Sequence, residues 1–150
     1  MKIEIDISGQ IQQINYDSSL GMKREDGFEK SVFLRSKDKK DILRKYKGQV
    51  IDLIEKIHAI LIYYCIIDEL NTVSEIKICK DVNFRVLKNI LPLLFKEHEY
   101  LRGIKILMRK GGDPDSRAHR IALRTFRRQK YASQLITKEM MELLLFEFKR

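Results

Sequence analysis

Five side chains in this sequence have the types and spacing for chemistry on phosphates: Asp6, Asp81, Asp113, Asp115 and His119. Asp6 stands in the alternating segment KIEIDIS, and Asp81 comes two residues after the apolar run VSEIKIC. Asp113 and Asp115 belong to GGDPDSRAHR, residues 111–120, inside the most basic part of the chain. Carboxylates gathered in one place repel and raise one another's pKa, so a cluster of them needs a cation to hold it. Mg²⁺ is a hard ion that takes oxygen ligands, commonly one or two carboxylates plus substrate phosphate oxygens. Two Mg²⁺ or Mn²⁺ ions about 4 Å apart can activate a water and stabilise the leaving oxygen of a phosphodiester. On this reading Asp6, Asp81 and Asp113 are metal ligands, with Asp115 beside them. His119, four residues after Asp115, is placed to shuttle protons.

Each residue also has an ordinary role open to it. Asp6 fits a solvent-facing strand position beside Lys2 and Glu4, and Asp81 fits a cap for a helical segment beginning at Val82. Asp113 before Pro114 matches an N-cap with proline at the first helical position, and Asp115 suits the positive end of a helix dipole. His119 fits a surface position among arginines, and His58 and His98 are expected to be structural.

Charge points to an anionic partner. The formal net charge is +9 and the pI is about 9.6, a field that favours nucleic acid. From Arg102 to Lys130 there are ten bases and only two acids, Asp113 and Asp115. Arg109, Lys110, Arg117, Arg120, Arg124, Arg127 and Arg128 are the candidate phosphate contacts. From Arg117 onward these recur at steps of three and four, making a stripe beside an inner face of Ala118, Ile121, Ala122 and Thr125. A solvated charged face is the ordinary reading of such a stripe. No acid lies within it, so an anion is expected to come to it. About five phosphate contacts would give a log-affinity against log-salt slope near −4.5.

These residues need elements to position them. Residues 2–8 alternate with Ile3, Ile5 and Ile7 on one face, the period of a half-buried strand. A second strand is expected to run from about Ile11 to Met22. A third is expected at 28–35, after the turn signal Glu25-Asp26-Gly27, which closes an antiparallel meander. A helix capped by Asp38 is expected from Asp41, with Gly48 as an interruption, and residues 49–70 carry helical periodicity that becomes apolar all round from Ala59. Strands at 73–79 and 103–108 are separated by a helix at 83–95 in which Pro92 is a kink or a stop. Helices at 114–130 and about 137–148 complete one domain, residues 1–150. The expected fold class is α/β, with a mixed five-stranded sheet: three antiparallel strands, then two parallel ones beside the first, flanked by helices. In such sheets ligands gather at the carboxyl ends of the strands.

This order resembles the ribonuclease H-like superfamily, and the resemblance covers about residues 2–130. It rests on element order and on three positions: Asp6 in Asp6-Ile7-Ser8-Gly9 on the first strand, Asp81 at the end of the fourth, and Asp113 with Asp115 at the start of a late helix. The resemblance implies a metal-dependent nuclease or strand-processing enzyme. Many members carry a further acid near the start of the first helix, for which this chain offers Asp41, Asp52 and Glu55, none marked out by its context.

Other classes find no support in the residues. There is no GxxxxGK[ST], no GxGxxG after a strand, no GxSxG and no HExxH. No aromatic platform at RNA-binding spacing is evident. Cys65 and Cys79 lie in apolar stretches without ligand spacing and read as reduced core residues of a cytoplasmic protein. The apolar run Ala59–Ile67 is far short of the roughly 20 residues that span a bilayer, so no membrane role is expected. Two alternatives to the nuclease stay open: a non-catalytic nucleic-acid-binding module, and an interaction subunit that meets an acidic protein partner.

Overall fold

The computed structural model describes residues 1–79, 82–95, 104–109 and 116–148. Three strands come first: β1 (Lys2–Ser8), β2 (Ser18–Arg24) and β3 (Glu29–Leu34). Helices α1 (Ser36–Tyr46) and α2 (Leu53–Ile66) follow, then β4 (Glu75–Cys79), α3 (Phe84–Leu94) and β5 (Lys105–Arg109). The chain ends with α4 (Arg117–Arg127), β6 (Gln134–Ile136) and α5 (Lys138–Leu145).

The strands form one mixed sheet in the order β5-β4-β1-β2-β3-β6. β1, β2 and β3 pair antiparallel, β4 lies parallel beside β1, and β5 lies parallel beside β4. The expected five-stranded sheet is therefore a six-stranded one, because β6 pairs parallel with β3 at the far edge. β6 has only three residues, of which Ile136 alone is buried, too few to show an alternating pattern.

The two faces of the sheet differ in composition, which decides what packs on each. Ile3, Ile5 and Ile7 of β1 share a face with Leu20 and Met22 of β2 and with Val32 and Leu34 of β3, all buried. This apolar face takes α2, whose residues 57–62 are buried without a break, and α2 in turn packs against α3 and α5. The opposite face carries Asp6, Ser19, Gly21 and Ser31, and α4 lies on it. Small residues there let the helix come close. A Cβ on Gly21 would stand 2.6 Å from the backbone N of Ala122 and 2.8 Å from the carbonyl O of Ala118.

Several boundaries move from their expected places for local reasons. Residues 10–17 form turns rather than strand, held from below by Lys39, whose ammonium reaches the carbonyls of Gln10 and Gln13. Helix α1 starts at Ser36, so Asp38 lies in its first turn and the end is capped from a distance: Asp17 Oδ1 accepts from the Ser36 N–H at 2.8 Å. Gly48, at φ +78°, does separate α1 from α2. Asn83 caps α3 by accepting from the Val86 N–H, and Pro92 sits in the last turn of that helix. Ser116 caps α4 by accepting from the His119 N–H at 3.4 Å, so Asp113 is not the N-cap of this helix. Thr137 caps α5, which ends at Leu145 rather than 148.

Candidate functional site

Asp6 is in the second half of the central strand β1, directly across from Gly21 of β2, which in turn faces Ser31 of β3. With no side chain at Gly21, α4 settles onto this row. Ser19 Oγ donates to the Ala122 carbonyl, and Thr125 Oγ1 donates to Ser31 Oγ at 3.0 Å. That seating fixes the first turn of α4 above β1 and brings His119 to Asp6, with Nδ1 2.9 Å from Oδ2. Asp6 is 7% exposed, so the solvent-facing position is corrected: the carboxylate lies under the helix. Its other oxygen, Oδ1, accepts from the Ile7 N–H at 2.8 Å.

This geometry selects a tautomer. A carboxylate accepts, so Nδ1 of His119 is the donor and, in the neutral ring, the lone pair resides on Nε2. The His119 side chain is 36% exposed. A carboxylate-oriented imidazole with an accessible second nitrogen is equipped to accept and return a proton.

Asp81, His98, Lys110, Asp113 and Asp115 lie outside the described residues. Asp81 is two residues past the end of β4, and Asp113 and Asp115 come four and two residues before α4. Arg109 closes β5 in register with Cys79. Glu55, on α2, lines a separate cleft with Gln12, Ile14, Leu43, Lys47 and Leu53. Asp41 faces Lys138 of α5 at 4.0 Å, and Asp52 precedes α2 at φ 55° without capping it. Among the described residues no three His, Cys, Asp or Glu side chains group as metal ligands. Asp6 and His119 supply one oxygen and one nitrogen donor, which is half of a site at most.

The basic stripe has an acid partner that the sequence order hides. Glu29 of β3 holds Arg117 Nε at 2.6 Å and Arg124 at 3.7 Å. The expectation of arginines waiting for an anion is thus corrected for these two. At 100° per residue, His119 and Arg124 stand on opposite flanks of α4: His119 looks toward β1, Arg124 toward β3, and Arg120 and Arg127 point away from the sheet. The inner face Ala118, Ile121, Ala122 and Thr125 is buried as expected. Against the first turn of α4 there is a cleft of about 500 Å³ lined by Lys2, Glu4, Lys23, Glu75, Lys77 and Arg117. Its charges alternate in sign across the strands, so it favours no one ligand class.

Two further groups, Lys39 and Tyr131, escape a reading of the sequence, and His58 takes the structural position expected of it. Lys39, in the segment SKDKK, is fully buried, and its ammonium donates to the carbonyls of Gln10 and Gln13 and to Ser18 Oγ at 3.2, 2.8 and 2.9 Å. Burial pulls its pKa down to about 8, with the Asp17 carboxylate acting in the other direction. His58 is buried on α2 with Nδ1 lacking a hydrogen-bond partner among the described residues. Burial pushes it down to about 4, with Asp6 opposing the shift. Tyr131 is exposed in the short 3₁₀ turn after α4, beside the arginines. Cys65 and Cys79 are buried thiols that form no disulfide, as expected, and burial raises the Cys65 thiol to about 12.

Compared with models of protein families, with curated proteins and with solved structures, the chain matches none. Among the described residues, no helix is long and apolar enough to cross a membrane.

Proposed function

We propose that the protein is a metal-dependent nuclease or strand-processing enzyme of the ribonuclease H-like type, acting on nucleic-acid phosphodiesters. The observation that carries this reading is the contact of Asp6, at the centre of the sheet, with His119, presented by α4. Element order supports it: an antiparallel β1-β2-β3, then β4 parallel beside β1 and β5 parallel beside β4, with a helix between β4 and β5 in the chain. Two helices stand where the resemblance implies one, and β6 and α5 are additions.

In this reading Asp6 orients His119 through Oδ2 and keeps a second lone pair on each oxygen for a cation. Asp81 and Asp113 are the remaining ligands, with Asp115 as a fourth. Bound Mg²⁺ or Mn²⁺ would supply Lewis acidity at the phosphate. His119 takes a proton at Nε2 from the attacking water, and the outward bases Arg120 and Arg127 hold the strand along the helix.

A second reading, a non-catalytic nucleic-acid-binding module, is favoured by one observation. Both Asp6 oxygens already accept hydrogen bonds within the fold, so the pair can serve only to seat α4.

One assay separates the two. Labelled single strands, duplexes and RNA/DNA hybrid are incubated with Mg²⁺ or Mn²⁺ and with wild-type, Asp6→Asn or His119→Ala protein. The nuclease reading expects metal-dependent cleavage that both substitutions abolish while binding persists. Salt-sensitive binding without cleavage by any of the three proteins would establish the binding module instead.

A further inference from the structure

The exposed ring of Tyr131 sits in a strongly basic recess. It lines a depression of about 480 Å³ together with Arg120, Leu123, Arg124, Arg127 and Arg128. The Arg124 guanidinium lies over the ring, 5.2 Å from its centroid, and the Lys130 ammonium lies over it at 5.3 Å, so a stacking base would take the place of one of these cations. Among the described residues no acid lines the recess itself, and Glu29 partners one of its arginines, 3.7 Å from Arg124. The residue's backbone is fixed: its N–H donates to the Arg128 carbonyl at 3.1 Å, and its own carbonyl accepts from Ser31 Oγ at 3.2 Å. Tyr131 as a whole is 43% exposed. An apolar ring held outward on a rigid backbone, with cations around it, matches what a nucleobase and its two flanking phosphates require.

We propose that this recess binds an unpaired nucleotide strand, with a base stacked on Tyr131 and the phosphates neutralised by Arg127 and Arg128. The choice of an unpaired strand follows from the ring. Bases inside a duplex already stack on one another and offer no free face, whereas every unpaired base does. Simple charge neutralisation would need the arginines but not the tyrosine. Eight residues separate His119 from Arg127, about 12 Å along the helix axis, so a strand seated on Tyr131 can follow the outer ridge of α4 to the Asp6–His119 pair. The inference deepens the nuclease reading and rests on it for the cleavage step, but not for the binding.

The test is fluorescence anisotropy with a labelled 12-nucleotide single strand and, separately, a blunt 16-base-pair duplex, using wild-type, Tyr131→Phe and Tyr131→Ala protein. Loss of one stacked base should weaken single-strand binding by about 5-fold or more. Tyr131→Phe should bind the single strand as wild type does, and duplex affinity should be unchanged by either substitution. Replacing Arg127 and Arg128 together by Ala should flatten the single-strand salt slope by about 1.4.

The proposal is overturned if Tyr131→Ala binds the single strand as wild type does, if it weakens strand and duplex equally, or if poly-glutamate competes as well as the oligonucleotide. Metal-dependent cleavage abolished by Asp6→Asn but indifferent to Tyr131→Ala would sink this surface and leave the nuclease standing. Tyr131-dependent binding without cleavage would do the reverse.

Discussion

His58 makes stability depend on pH in a way that can be calculated in advance. In the unfolded chain a histidine titrates near its ordinary value of 6.5, whereas burial holds folded His58 near 4. Between those two values the unfolded chain carries one more proton than the folded protein. Stability therefore rises with pH across this window: it is intact above about pH 6.5 and falls steadily as the pH drops toward 4. One proton corresponds to about 1.4 kcal/mol per pH unit, so the whole window is worth about 3 kcal/mol. That is a large share of the roughly 5–15 kcal/mol typical of a domain. Urea unfolding at pH 7, 6, 5 and 4.5 measures it, with His58→Leu as the comparison. Leucine is of similar size, has no nitrogen to leave unpaired, and suits the apolar neighbours Ile57, Ala59 and Ile62. Acidic residues elsewhere contribute alike to both proteins, so the gap between the two curves belongs to His58. The His58→Leu protein should equal or exceed wild type at pH 7 and gain on it by about 2 kcal/mol at pH 5. Parallel curves from pH 7 to 4.5 would show that the imidazole is solvated or partnered, and the reasoning would be refuted.

Gly21→Ala should cost about 1–3 kcal/mol by overpacking, because the new methyl meets helix backbone that cannot step aside. A thermal melt should show a fall of about 2–10 °C, and an unchanged melting point would mean α4 sits higher than described. Lys39→Met leaves two carbonyls and a hydroxyl without their donor, a loss of about 2–4 kcal/mol read by denaturant titration; a neutral result would show that water replaces the ammonium. Glu29→Gln frees Arg117 and Arg124 from their acid, so nucleic-acid affinity should rise and the duplex salt slope steepen by up to about 2. Weaker binding by that variant would place Glu29, rather than the arginines, at the interface.

The sheet was legible because alternation is strong in β1 and because α2 is apolar nearly all round, and both follow directly from burial on one face or on all sides. The face of α4 was equally clear, since Ala118, Ile121, Ala122 and Thr125 repeat at helical spacing. What lay beyond the sequence were contacts across long separations. Asp17 caps α1 from nineteen residues away, and Glu29 reaches Arg117 across eighty-eight. Asp6 and His119 each stand out by type, but their pairing, 113 residues apart, depends on how closely α4 lies on β2. That closeness is written in Gly21, whose lack of a side chain carries no signal until its neighbour is known. Lys39 is hidden for a related reason: a lysine in a polar run is ordinarily solvated, and only the fold of residues 10–17 over it buries the charge. Tyr131 is a single aromatic with no spacing to announce it.

The unequal faces of the sheet bear on the order in which the molecule comes apart. α2 is held by a continuous apolar surface. α4 rests on serines, a glycine and a carboxylate, and Ile121 is the only large apolar side chain among its buried residues. Less apolar area resists its departure, so the amides of α4 are expected to exchange with solvent through a partial opening that leaves the rest of the sheet intact. The Asp6–His119 pair exists only while that helix is down. A partial opening that lifts α4 therefore separates the pair while the sheet stays whole, and a strand lying along α4 would fasten in place the helix that carries His119.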